Sequence, residues 1–284
     1  MNLLRSFLLV LCISQFFSAA AMGISASYLT SYVSSWWRGK QAEVMPNKAN
    51  VAVIELVDPI NFKDSVVHLI SAAKNPAVDG VVLMINCGGG STGAFSVLHD
   101  HIKKLATLKP VVALVGESAG SSGYLITSAA DYIIASGCSN LGCIGTVWEI
   151  ATYKNPKYKG NNLEAGIDVE QFNAGEFKSV GSPYHPLSNK DKEYIKKYIA
   201  RIYQYFLETV AANRKLDMKK YKEWAEAKLF ISPDALKLGL IDAIGTFFEA
   251  EEKVLELICK RNPEKTFAPT LELIYYNNSP APAN

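Results

Sequence analysis

A layered α/β fold is predicted for this 284-residue chain by three observations. Short β-branched apolar runs recur along it, stretches with helical spacing separate them, and glycine-rich turns follow the ends of the runs. The folded region begins near Asn50, after a polar connector from Gly39 to Lys48. Val51-Ala52-Val53-Ile54-Glu55-Leu56 reads as a buried strand, and Lys63 to Ala73 as a helix ending near Pro76. Val81 to Ile85 is a second strand, leading into Asn86-Cys87-Gly88-Gly89-Gly90. Residues 91 to 107 read as a helix and Val111 to Val115 as a third strand. Tyr124 to Ala130 is compact enough for a helix, Tyr132 to Ala135 for a short strand, and a turn-rich piece through Gly137, Gly142 and Gly145 follows.

Further along, Tyr153 to Gly181 is polar and punctuated by glycine, the character of an active-site surface segment rather than a core element. Asp191 to Leu207, Met218 to Leu229 and Pro233 to Leu238 read as an additional C-terminal helical region. Beyond Pro263 the sequence turns irregular, and 277–284 reads as a mobile tail. The expected organisation is a targeting segment over 1–24, a connector over 25–49, a folded domain over 50–262 and an irregular tail over 263–284.

Composition narrows the function classes. A chain that is 49% hydrophobic can bury a substantial core, and a net charge of +2 with scattered basic groups argues against a nucleic-acid binder. The five cysteines are widely spaced, with no Cys-x-x-Cys pair or zinc-like grouping, so they read as small buried residues, with one disulfide available to an exported domain. No metal or organic cofactor is expected. Arg5 precedes a largely apolar stretch from Phe7 to Phe17 and the small residues Ser18 to Ala21, the order of an export signal. Retention as an anchor is the other reading, since Trp36 and Trp37 followed by Arg38 and Lys40 suit a membrane-water interface. The expected place is the bacterial cell envelope, with the domain exported and anchored in the inner membrane or secreted to the periplasm, and membrane association is expected.

Chemistry is concentrated in three places. Gly120-Ser121-Ser122-Gly123 sits between a strand and a short helix, where a serine hydroxyl projects from a loop and acts as a nucleophile once a base removes its proton. Ser121 and Ser122 are rivals there, and an N-cap or turn serine is the plain structural reading. The four histidines offer no obvious base. His99 and His101 stand two apart on a predicted helix and point in different directions. Lys178, in Asn173-Ala174-Gly175-Glu176-Phe177-Lys178-Ser179-Val180-Gly181, is the alternative base. Its free pKa of about 10.4 must be lowered for that role, by dry surroundings that Phe177 and Val180 can supply. The Gly88-Gly89-Gly90 turn offers backbone amides to an oxyanion, Gly89 first, with Gly90 beside it.

Together these segments resemble the signal peptide peptidase A family of serine-lysine proteases, within the ClpP and crotonase-like fold group. Asn86-Cys87-Gly88-Gly89-Gly90-Ser91 is similar to the family's Asn-Ser-Pro-Gly-Gly-Ser, with its serine and proline replaced. Gly120-Ser121-Ser122-Gly123-Tyr124 lies over Ala-Ser-Gly-Gly-Tyr, which selects Ser121 over Ser122. Gly175-Glu176-Phe177-Lys178-Ser179-Val180-Gly181-Ser182-Pro183 looks like the lysine segment, and the similarity continues through Tyr221 to Phe230 and Gly239 to Asp242. The resemblance implies a fold of repeated β-β-α units and a serine endopeptidase with Ser121 and Lys178 as its dyad. Its substrates would be remnant signal peptides or other membrane-associated unfolded peptides, and it would act as a homo-oligomer. Where the family has Thr-Gly-Ser-Ile-Gly, this chain has Leu141-Gly142-Cys143-Ile144-Gly145. Cys143 therefore occupies the place of a serine that supports the lysine, and a thiol is the weaker hydrogen-bond partner, a loss for which Ser122 is the candidate to compensate. An impaired member acting as a peptide-binding or assembly protein, and a crotonase-like acyl-transfer protein, are the alternatives.

Overall fold

The computed structural model describes residues 47–151, 170–184, 186–265 and 267–276. The targeting segment of 1–24, most of the connector and the 277–284 tail lie outside the described residues. Residues Asn47–Asn284 form one compact unit, to which the following description applies.

The first half of the unit alternates strand and helix as its hydrophobic pattern dictates. Strand β1 (Asn47–Val57) is followed by α1 (Phe62–Lys74), β2 (Gly80–Cys87), α2 (Thr92–Leu108) and β3 (Val111–Gly120). Buried apolar residues on both faces of β1, β2 and β3 require cover on both sides, the condition under which parallel strands are stable. Then come α3 (Ser122–Thr127), β4 (Tyr132–Ala135) and β5 (Asn140–Gly142). A long helix α4 (Asn189–Arg214) leads through a 3₁₀ turn to α5 (Tyr221–Trp224), β6 (Leu229–Ile231) and α6 (Ser232–Lys237). The unit closes with β7 (Ala243–Ile244), α7 (Phe247–Arg261) and β8 (Phe267–Tyr276).

The strands form one sheet in the order β6-β5-β3-β2-β1-β8, with β4 pairing β3 and β7 off this path. All pairings are parallel except β5 with β6. One face packs Ile54, Leu83 and Ala113 against Leu69, Ile102 and Leu125 from α1, α2 and α3. The opposite face packs Val51, Val82 and Val112 against Ala250, Val254 and Ile258 of α7. The result is a three-layer α/β arrangement of repeated strand-helix units. Near the active end, β2 and β3 slip register between the pairs Ile85↔Val115 and Cys87↔Ala119. Asn86 fills that irregularity, its side-chain oxygen accepting from the Ser118 N–H at 3.2 Å.

Side-chain contacts lock the helices together. Arg214, at the end of α4, forms a two-pronged ion pair with Asp242 at 2.8 and 2.9 Å, and the Asp242 carboxylate also accepts from the Ile133 N–H. The buried Tyr124 hydroxyl of α3 donates to the Leu240 carbonyl at 2.6 Å. His99 of α2 is buried, with Nδ1 against Asp100 at 3.0 Å and Nε2 against the Asn213 side-chain nitrogen of α4 at 2.8 Å. Asn213 also donates to the Ser128 hydroxyl at the end of α3.

Two sequence expectations are corrected. Residues 267–276, within the stretch expected to be irregular, form β8, which pairs parallel with β1 from Asn47↔Phe267 to Ile54↔Tyr276. Pro269 obscured the strand in the sequence, but an edge strand tolerates a proline whose N–H is not needed by the ladder. The expected membrane anchor is the second correction, as far as the described residues reach. Among the described residues no helix is long and apolar enough to cross a membrane. The longest helix, α4, carries lysines, arginines and carboxylates along its length.

Candidate active site

Three neighbouring parallel strands deliver the site from their carboxyl ends. β2 runs into Gly88-Gly89-Gly90, β3 runs into Ser121, and β5 runs into Cys143. This is where parallel α/β sheets place functional loops.

Ser121 caps α3 with φ 50° and ψ −129°, a conformation that non-glycine residues seldom adopt. Backbone contacts hold it there. Its N–H donates to the Gly142 carbonyl at 2.8 Å, and its own carbonyl accepts from the N–H groups of Tyr124 and Leu125. The turn sends the two serines in different directions. Ser121 lines an open cleft, whereas Ser122 is buried and donates from Oγ to the Gly90 carbonyl at 3.1 Å. Gly123 has no substitute, because a Cβ there would stand 2.3 Å from the Cys87 carbonyl oxygen.

The glycine turn lies directly against the serine. Gly89 has φ 118°, and a Cβ on it would come within 2.8 Å of Ser121 Cβ and 3.0 Å of the Gly120 carbonyl. Only a bare backbone fits in that gap. The turn is anchored from below by Asp58, whose carboxylate accepts from the Gly88 N–H at 2.7 Å. Burial, reinforced by Asp58, pushes the neighbouring Cys87 thiol up to about 12, so it stays protonated and offers no thiolate nucleophile.

Cys143 is half-buried, has φ 50°, and lines the same cleft as Ser121. Its N–H donates to the Lys228 carbonyl at 2.7 Å, and the Ala227 N–H donates to Ile144 at 2.9 Å, fixing this loop to the segment before β6. The cleft has a volume of about 470 Å³. Its far wall is apolar and aromatic, with Val147, Trp148, Tyr198 and Ile202 facing Ser121 and Gly90. Thr146 ties that wall together by donating from Oγ1 to the Ile199 carbonyl.

Lys178 stands apart from this group. It sits in a turn where its N–H donates to the Gly175 carbonyl at 3.1 Å, its side chain is exposed, and it is not among the residues lining the cleft. Phe177 stacks on Tyr194 of α4 at 4.6 Å between ring centroids. The single chain thus brings together Ser121, Gly90 and Cys143 around the cleft, with Gly89 against Ser121, and leaves Lys178 outside. Sequence reasoning missed the residues that support them, namely Asp58, Asn86, Thr146, Trp148, Tyr198 and Ile202. Tyr194 and Tyr198, four residues apart on α4, carried the one available signal for the aromatic wall.

The chain is similar in sequence to known proteins. The family model of Peptidase family S49 matches residues 103–258, more than half of the chain. The chain is 35% identical over 191 residues to "Putative protease MJ0651" of Methanocaldococcus jannaschii, covering 67% of this chain and 60% of that protein. It is 29% identical over 226 residues to Protease 4 of Haemophilus influenzae, covering 76% and 36%. It is also 29% identical over 176 residues to the chloroplastic serine protease SPPA of Arabidopsis thaliana, covering 62% and 25%. The chain therefore spans three fifths or less of the length of these relatives.

Proposed function

From the premise that this chain belongs to peptidase family S49, we propose that it is a serine endopeptidase acting on unfolded peptides, cleaved signal peptides among them. We read its sheet of repeated strand-helix units as the ClpP/crotonase-like fold, with residues 50–262 as the peptidase domain and β8 as its added edge. The observation that carries the functional reading is the packing of the Gly89 turn against Ser121 at the floor of an open cleft.

In this reading the Ser121 hydroxyl attacks the scissile carbonyl as its proton passes to the neutral amine of Lys178. Backbone N–H groups of Gly89 and Gly90 receive the negative charge that develops on the carbonyl oxygen. When the tetrahedral intermediate collapses, the C–N bond breaks and the Lys178 ammonium returns the proton to the leaving amine. Water then attacks the Ser121 ester by the same route and frees the enzyme. Ser122 holds Gly90 in place, and Cys143 supports the lysine side of the site. The apolar wall of Trp148, Tyr198 and Ile202 suits small or apolar side chains near the cut.

The exposed position of Lys178 favours a second reading, a peptide-binding protein without turnover. A serine-reactive peptidyl phosphonate separates the two. The expected results are labelling at Ser121, hydrolysis of unfolded peptides, and loss of hydrolysis by at least a thousandfold in Ser121→Ala and Lys178→Ala variants that remain folded. Peptide binding with no labelling and no hydrolysis would overturn the peptidase reading in favour of the second.

A further inference from the structure

The cleft at Ser121 does not end at its aromatic wall. A second groove of about 630 Å³ runs between the first turn of α2 and the middle of α4, and it shares Thr92, Tyr198 and Ile202 with the cleft. Its remaining lining is Ser91, Gly93, Ser96, Arg201 and Tyr205. No aspartate or glutamate lines it. Among the described residues the Arg201 guanidinium makes no hydrogen bond or ion pair, although the other arginines of the unit, Arg214 and Arg261, both pair with carboxylates. Ser91 and Thr92, which face this groove, have hydroxyls that make no hydrogen bond among the described residues either.

A guanidinium offers five N–H donors and no acceptor, and its planar fork matches a carboxylate. A hydroxyl can donate as well. A groove that joins the reacting serine and presents an unpaired arginine and free hydroxyls, with no competing acid, is complementary to an anion on a bound peptide. We infer that this groove receives a carboxylate of the substrate, either an acidic side chain or the chain terminus, and that Arg201 is a specificity-determining residue. The inference rests on the peptidase reading and adds to it a charged requirement at a distance from the scissile bond.

The test uses the full chain and three sets of peptides sharing one cleavable sequence. The reference peptide is neutral, acetylated and amidated. The second set walks one glutamate along the amidated peptide, and the third leaves the terminal carboxylate free at successive lengths. The expected result is a preference in kcat/KM of about tenfold over the reference at one position in at least one set, the size of one charge-assisted hydrogen bond at an exposed site. That ratio should fall toward one in Arg201→Ala and below one in Arg201→Glu, and it should weaken with added salt. A preference confined to the second set assigns the groove to a side chain, and one confined to the third assigns it to the terminus.

No position in either set exceeding the reference by twofold, or a preference that survives Arg201→Ala, would overturn the inference. Anisotropy of the same peptides, dye-labelled, on the Ser121→Ala variant reads binding without turnover. Arg201-dependent binding of the carboxylate peptides with no cleavage by the unaltered chain would sink the peptidase reading alone. Cleavage without any carboxylate preference would sink the groove alone.

Discussion

Ser121 and Ser122 are chemically identical neighbours, yet the backbone gives them opposite surroundings. Ser121 lines the cleft, and Ser122 is tethered to the Gly90 carbonyl. Ser122→Ala should therefore keep phosphonate labelling at Ser121 while lowering kcat by about tenfold, because the oxyanion turn loses one restraint while the nucleophile remains. Steady-state kinetics with labelling stoichiometry checks this, and a loss of labelling would show that Ser122 itself reacts. Glycine-flanked motifs at strand ends already marked the Ser121-Ser122 pair and Gly89, and resemblance to the family's segments selected Ser121 over Ser122 and singled out Cys143. What they could not convey is the support underneath. Asp58 reaches the Gly88 N–H from 30 positions earlier in the chain, a contact that no local pattern announces.

At the scale of elements, α2, α3 and α4 meet around His99. Burial lowers its pKa below the ordinary 6.5, against the opposing pull of Asp100. The sign follows from linkage. Below about 6.5 the unfolded chain binds a proton that the folded chain resists, so His99 costs stability as pH falls through that range and costs nothing above it. Comparing wild type with His99→Gln by urea unfolding between about pH 7 and 5 should show a shallower pH dependence in the variant. Equal slopes would remove His99 from the account. The elements themselves were unevenly legible. β4 was read at Tyr132–Ala135, as observed, because its apolar run is short and bounded. β5 and β6 went unread because strands of three residues carry too little periodicity, and their pairing is decided by contacts between Asn140 and Ile231, far apart in sequence. α7 also went unread, although Thr246 and Glu249 form a capping box at its start.

For the molecule as a whole, the proposed mechanism requires Lys178 to approach Ser121. Its exposure in the free chain gives a direct observable. A peptidyl phosphonate bound at Ser121 should bring the lysine segment over the cleft and protect Lys178 from an amine-reactive reagent, read by mass spectrometry. Protection of at least fivefold at Lys178, with little change at the distant Lys260, is expected. Unchanged labelling of Lys178 in the occupied enzyme would argue against its role as the base.

The backbone at Ser121 carries one more consequence. Of the five non-glycine residues with positive φ among the described residues, Ser121, Cys143 and Ala227 all line the one cleft. Such conformations cost of order 1–3 kcal/mol each, and they persist only because the surrounding sheet outweighs them. The protein thus surrenders some durability in order to present a hydroxyl. Ser121→Gly should make that exchange visible, since it removes the nucleophile and raises unfolding stability by about 1 kcal/mol after the added flexibility of glycine is counted. A variant that is inactive and harder to melt would show that the chain has been selected for a working cleft at the expense of its own resilience.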